Sequence, residues 1–313
     1  MLKRLLTGIV IVLVTAGFFA LRFVSPYFFD VFILAMAVVG TYEVCSVFKK
    51  NNRFNDTYFV LSYPVVIFVT MILSVNFKIN EMLYFAIILG EGLVLTLAMY
   101  IKNICCKKSN NKIILESNFD GSEKNFIAKK LSLDIFLLFY PAFMLSGMFF
   151  LNHIADFGLF GGDGNVLIGM MLLLMLFVAT MFTDTGAYLI GSGIRGPKLC
   201  PKISPNKTIS GAVGGLFSGI VGSLLVYFIL NFIPSCAEIF ATNNISIWLF
   251  LIYGVFASIF TQIGDIFASF IKRKNNVKDY GHIFPGHGGV MDRVDGISFN
   301  LVVTIIFAFI MFL

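Results

Sequence analysis

Nine stretches of the chain are so long and so apolar that a lipid bilayer is the solvent they call for. They lie at residues 5–24, 28–47, 58–76, 81–101, 133–152, 165–190, 211–233, 246–271 and 296–313. A helix of roughly 20 apolar residues crosses the bilayer's hydrocarbon core of about 30 Å. Backbone amides in hydrocarbon must find partners within their own segment, so these runs are expected to be helices. The runs fill most of the 313 residues, and only 13% of the chain is charged, against about 25% in soluble domains. The expected fold is an all-α integral membrane protein, a polytopic bundle of about nine transmembrane helices. The first run follows Lys3 and Arg4 as a signal peptide would, but no small-residue cleavage site follows and Arg22 suits none, so it reads as a retained helix.

Nine spans put the termini on opposite sides, and the basic residues decide which side is which. With a cytoplasmic N-terminus, the cytoplasmic segments carry Lys3 and Arg4, then Lys49, Lys50 and Arg53, then seven Lys from Lys102 to Lys130. Arg195, Lys198, Lys202 and Lys207 follow, then Lys272, Arg273, Lys274, Lys278 and Arg293. That is 21 of 23 basic residues, with Arg22 and Lys78 left outside. Such asymmetry is the signature of a positive cytoplasmic face. The net charge of +6 is thus a matter of topology; no nucleic-acid-binding motif accompanies it. Cys105 and Cys106 adjoin in a cytoplasmic loop, where a disulfide is disfavoured, and no Cys/His spacing resembles a zinc site.

Polarity divides the chain into residues 1–132 and 133–313. The first part has four spans, with Glu43 and Glu91 in their interiors, and a solvated cytoplasmic loop at 103–132 that includes "KKSNNKIILESNFDGSEKNFIAKK". Glu91, between Gly90 and Gly92, reads as a packed, hydrogen-bonded acid. The second part has five spans and nearly all the unusual polar residues. No internal repeat is evident, which disfavours a transporter built from inverted halves. Gly211, Gly215 and Gly219 recur on one helical face; this spacing suits close helix packing and also permits a homodimer.

Three polar stretches interrupt the second part: "TDTGAY" with Asp184, "TQIGDIFASFIKR" with Asp265, and "KDYGHIFPGHGGVMDRVDG" with Asp292 and Asp295. Asp184 and Asp265 each sit seven residues before the cytoplasmic end of their span, about 10 Å deep at 1.5 Å per residue. A carboxylate in hydrocarbon costs several kcal/mol unless it faces a cavity, a partner or an ion. Asp292 and Asp295, three apart, share one side of a helix start. Four converging Asp form an oxygen-rich set that suits Mg²⁺. Around them "ISPNKTISG" and "PGHGG" offer Ser204, Lys207, Thr208, His287 and the amides of Gly288 and Gly289, while Lys278 and Arg293 add positive charge. Amides in Gly-rich turns and basic side chains together bind phosphate. No Walker loop is present, and His282 reads as a hydrogen-bonded loop residue.

The stretch "SFIKRKNNVKDYGHIFPGHGGVMDRVDG", 269–296, closely resembles the signature of the phosphatidate cytidylyltransferase, or CDP-diacylglycerol synthase, family. Asp184, Ala187 and Tyr188, then Ser204, Pro205, Lys207, Thr208 and Gly211, then Gln262, Gly264 and Asp265 match its upstream pattern. Ser210 and Ala268 stand where the family commonly has Glu, and "GSGIRGPKLCPK" departs from its usual Gly-Arg and Gly-Lys pattern. The resemblance implies a Mg²⁺-dependent enzyme, with a second cation left open, that joins CTP to phosphatidate and releases pyrophosphate. It implies a bacterial inner-membrane protein whose site faces the cytoplasm. Metal ligation falls to Asp184, Asp265, Asp292 and Asp295, and catalysis to Asp265, Asp292, Lys278, His287 and Arg293. Substrate binding falls to Ser204, Lys207, Thr208, Lys272, Arg273, Gly288 and Gly289. A cation transporter would explain the buried acids but not the Lys, His and Gly beside them. A CDP-alcohol phosphotransferase would need Ala-Arg soon after an Asp-Gly, where this chain reads "ISFNLVV" after Asp295 and Gly296.

Overall fold

The computed structural model describes residues 2–50, 56–109, 123–157, 165–286 and 288–312. The expectations for Arg53, His287 and residues 110–122 of the loop fall outside the described residues, as do the side chains of Lys3, Arg4, Cys105 and Cys106.

The apolar runs are helical, and among the described residues eight helical spans are long and apolar enough to cross a membrane; Thr7–Arg22 adds a shorter apolar stretch. The helices are α1 (Leu2–Arg22), α2 (Pro26–Lys50), α3 (Thr57–Asn76), α4 (Glu81–Ser109), α5 (Glu123–Leu137), α6 (Met144–Asn152), α7 (Val166–Ile194), α8 (Ile209–Asn231), α9 (Pro234–Thr242), α10 (Ile247–Lys274) and α11 (Met291–Phe312). The span at Lys129–Asn152 is not one regular helix. Pro141 lacks an amide hydrogen, and a π-helical segment, Leu138–Phe143, joins α5 to α6. There Tyr140 leaves helical geometry (φ −120°, ψ 117°) and sets its buried ring edge-on to Phe267 of α10, 5.1 Å away.

Small residues hold the second half together. A Cβ on Gly211 would come within 2.8 Å of the Ala187 carbonyl of α7, and one on Gly219 within 2.0 Å of Ser258 Oγ on α10. The glycine face is therefore consumed inside the chain, where α8 packs against α7 and α10, and it is not the open surface a homodimer would use. Gly264 of α10 likewise lies against the Asp295 carbonyl of α11, 2.6 Å from where its Cβ would be. These close approaches bring Asp184, Asp265 and Asp295 to one end of the bundle.

That end carries an element absent from the sequence reading. Lys198–Cys200 (β1) and Ser204–Thr208 (β2) pair antiparallel, Lys198 opposite Thr208, between α7 and α8. Arg195 ends α7 in the left-handed conformation (φ 51°), and Thr208 begins α8 by accepting the Gly211 amide at 3.1 Å. Both are standard ways of satisfying helix termini.

At the opposite end a buried polar cluster ties the first two helices to α6 and α7. Arg22 gives Nε to Asn152 Oδ1 and Nη1 to the Val166 carbonyl at 2.7 Å. Asn152 donates to Asp30 Oδ1 at 2.7 Å, and His153 meets Asp30 through Nε2 at 2.7 Å and Asp156 through Nδ1 at 2.8 Å. Arg22, which lies outside the cytoplasmic group of basic residues, is 1% exposed and ties α1 to α6 and α7.

Candidate active site

The polar groups of the second half meet where α7 and α10 end and α8 and α11 begin. α7 runs on to Ile194 and α10 to Lys274, past the expected ends near Gly191 and Lys272. Asp184 and Asp265 thus lie about 14–15 Å from their helix ends, deeper than first reckoned. The depths still match.

Three of the four acids form one electrostatic group. Asp184 and Asp295 each feel Asp265, and Asp295 also feels Asp184. Lys207, carried by β2, reaches Asp265 Oδ2 at 2.7 Å, and its charge and that of Arg293 also act on Asp184. Asp184 has no hydrogen bond or ion pair of its own among the described residues. Asp295 is 8% exposed, and its Oδ1 accepts the adjacent Gly296 amide at 2.8 Å.

Asp292 stands in a different setting. Its Oδ1 takes Lys272 Nζ at 2.7 Å; its Oδ2 takes the Tyr280 amide at 2.8 Å and the Gly289 amide at 3.0 Å. Both oxygens are engaged, and the work they do is to fix the loop between α10 and α11. Lys272, expected among the substrate-binding residues, is 9% exposed and lies 5.2 Å from the Tyr280 ring centre while it pairs with Asp292. Burial raises the Tyr280 phenol well above its ordinary range, with the Asp295 charge adding to the effect. The hydroxyl donates to the Ala268 carbonyl at 3.2 Å.

The loop itself is folded on glycines. Gly286 (φ 80°) and Gly288 (φ 83°) occupy the left-handed region that side-chain-bearing residues avoid, and Phe284 pairs with Gly288 across the turn. With Lys278, Asp279, His282, Phe284, Pro285 and Arg293 they line a polar cavity of about 350 Å³. A larger groove of about 560 Å³, lined by Leu89, Leu93, Leu138 and Phe139 among others, is apolar and contains none of the expected site residues.

The remaining candidates divide. Thr208 is 6% exposed and its hydroxyl serves the α8 cap. Arg273 directs Nε to the Ile203 carbonyl and Nη1 to the Val277 carbonyl, at 3.3 and 3.4 Å, pinning the segment between the strands to the loop after α10. Ser204 opens β2, beside the segment that presents Lys207.

The sequence reading missed Glu43. This α2 carboxylate, 4% exposed, accepts the Val290 amide on Oε1 at 3.1 Å and the Met291 amide on Oε2 at 2.8 Å. Its only trace in the sequence is an acid within an apolar run, a pattern that does not say what the acid faces. Glu91 accepts a hydrogen bond from the Thr70 hydroxyl, in keeping with the packing expected of it.

A cation at this site has to be judged on the donors present. Among the described residues no three His, Cys, Asp or Glu side chains are grouped to hold an ion by themselves. Mg²⁺ is commonly held by one or two carboxylates, waters and substrate phosphates rather than by an all-protein cage. Asp184, unpartnered, with Asp265 and Asp295 close by, fits that manner of binding; Asp292 as placed does not.

The sequence pattern of the cytidylyltransferase family matches residues 2–311. The chain belongs to the cytidylyltransferase family. Phosphatidate cytidylyltransferases from Staphylococcus haemolyticus (strain JCSC1435) and Staphylococcus aureus (strain COL) are each similar to it at 41% identity over 133 residues, and that of Staphylococcus saprophyticus at 42% over the same length. These alignments cover 42% of this chain and 47% of each relative. The chain thus spans about half the length of the curated relatives it matches. In this member of the cytidylyltransferase family, acids from α7, α10 and α11 share one end of the bundle with basic residues from β2, the 278–290 loop and α11.

Proposed function

We propose that the protein transfers the cytidylyl group of CTP to phosphatidate, giving CDP-diacylglycerol and pyrophosphate. The observation that carries this reading is the meeting of Asp184, Asp265 and Asp295 with Lys207 and Arg293, beside a polar cavity lined by Lys278. A phosphate oxygen of phosphatidate attacks the α-phosphorus of CTP; one P–O bond forms as the bond to pyrophosphate breaks. The attacking phosphate is already anionic, so no strong base is required. What remains for the protein is alignment and charge neutralisation.

Lys278 and Arg293 face the polar cavity and neutralise the triphosphate there, and the Gly288 backbone forms part of its wall, next to Gly289, whose amide is bound to Asp292. Lys207 places its charge on the acid group. One or two of Asp184, Asp265 and Asp295, with water and substrate phosphates, would hold Mg²⁺, which when bound would offset the charge that develops on the pyrophosphate. Asp292 keeps Lys272 and the loop in place. The basic end of the bundle faces the cytoplasm, the source of CTP, in a bacterial inner membrane. The two-chain lipid enters sideways from the bilayer.

The test is an assay of the purified full-length protein in mixed micelles with labelled CTP, phosphatidate and Mg²⁺. Label should enter the lipid phase with equal release of pyrophosphate. Diacylglycerol in place of phosphatidate, or EDTA, should stop both. No labelled lipid from folded protein overturns the reading, and labelling undiminished by EDTA removes the metal from it.

A further inference from the structure

We infer that Glu43 is a positioning residue for the nucleotide: from α2 it fixes the wall of the polar cavity and so sets the KM for CTP. This deepens the proposed function and rests on it. Three independent features of the structure converge on this carboxylate. It is the acceptor for two successive amides, Val290 and Met291, at the start of α11. Those amides would otherwise be orphan donors of the helix terminus, and a carboxylate is the side chain suited to a pair of them.

It is also gripped from both sides by glycine. A Cβ on Gly281 would come within 2.1 Å of Glu43 Oε1, and one on Gly289 within 2.3 Å of Oε2. Gly281 and Gly289 face this one side chain, and only hydrogen at both positions leaves room for it.

The third feature is how the task is divided with Asp292. Asp292 takes the amides of Tyr280 and Gly289, and Glu43 takes those of Val290 and Met291. Successive amides 289, 290 and 291 are thereby fixed by carboxylates from α11 and α2. Between these anchors lie Gly286 and Gly288 of the cavity wall, with Lys278 and Arg293 beside them. A loop with two left-handed glycines has little stiffness beyond the Phe284–Gly288 pairing. Its shape depends on the anchors.

Glu43→Gln keeps the volume but offers one carbonyl oxygen and turns an N–H toward one of the two amides. The KM for CTP should rise about tenfold to a hundredfold, the equivalent of one charge-assisted hydrogen bond. The KM for phosphatidate should stay within about twofold. Gly281→Ala, which displaces the same carboxylate, should raise the KM for CTP in the same way. The double variant should be little worse than either alone, since both act through one contact. A merely structural role would lower the active fraction, and hence kcat, and leave KM untouched.

Hydrogen exchange followed on the 284–291 segment in the same full-length proteins needs no activity. Exchange at Val290 and Met291 should quicken in Glu43→Gln while α7 and α8 stay protected. Unchanged exchange, or an unchanged KM for CTP in folded Glu43→Gln, overturns the inference. If the native protein forms no labelled lipid, the proposed function fails and the CTP role fails with it, while exchange still tells whether Glu43 holds the loop.

Discussion

Asp184 and Thr208 show how differently two polar side chains at one site are employed. Among the described residues Asp184 makes no hydrogen bond or ion pair, and its exposed carboxylate is left open to an ion or a polar ligand. Thr208 is closed off, its hydroxyl bound to the Gly211 amide. Replacing Asp184 or Asp265 with Asn should lower turnover about 100-fold or more, as expected for a group that stabilises transition-state charge, with the melting temperature in detergent little changed. Thr208→Ala should do the reverse, costing about 1 kcal/mol of stability as the cap is lost while the KM values hold; thermal unfolding and the lipid-labelling assay separate the two effects. The acids were legible in the sequence because charge inside an apolar run is conspicuous. The cap was not, since a Ser/Thr-rich stretch looks the same whether its hydroxyls face a phosphate or a helix start.

The same contrast runs through the helices. The rough number and extent of the membrane spans follow from apolar length, though the break at Leu138–Phe143 and the short α9 do not, and the Gly211, Gly215, Gly219 row announced close packing. Neither told which neighbours the row would meet, because that is decided by tertiary contact and not by period. It meets α7 and α10: Gly219 lies against Ser258 and Thr183, whose hydroxyls are 3.2 Å apart. Gly219→Ala drives a methyl between them and should destabilise the bundle by about 1–3 kcal/mol, read as a lower melting temperature in detergent. Gly193, with open space around its Cβ position, should accept Ala without that loss. The β1–β2 hairpin was hidden for a related reason: three prolines, Pro197, Pro201 and Pro205, in so short a stretch read as loop, yet the pairing of Lys198 with Thr208 forms around them.

Across the whole molecule, the two ends of the bundle are built on different electrostatics. The site end gathers basic residues around acids. The other end is a closed network in which His153 sits between Asp30 and Asp156. Burial alone would lower the His153 pKa, but hydrogen bonds to Asp156 and Asp30, and their charges, outweigh it and raise it from 6.5 to about 9. A folded-state pKa above the unfolded one means that this contribution to stability is complete below about pH 6.5 and is lost as pH rises through about 9. The melting temperature should therefore fall across that window in the native protein, and His153→Gln should flatten the fall; pH-dependent thermal unfolding in detergent checks it. None of this network was foreseen, because its two halves, Arg22 with Asp30 and Asn152 with His153, are far apart in the sequence, Asp30 and Asn152 by 122 residues.

The bond between Glu43 and the start of α11 also bears on how the protein is made. Glu43 precedes Val290 by 247 residues, so it leaves the ribosome and enters the membrane long before the amides of Val290 and Met291 exist. For that interval the nascent chain holds an acid in the bilayer without its native partners, a state the membrane penalises. Arrival of Val290 and Met291 ends it, and Gly281 and Gly289, which face the same carboxylate, can settle against it only then.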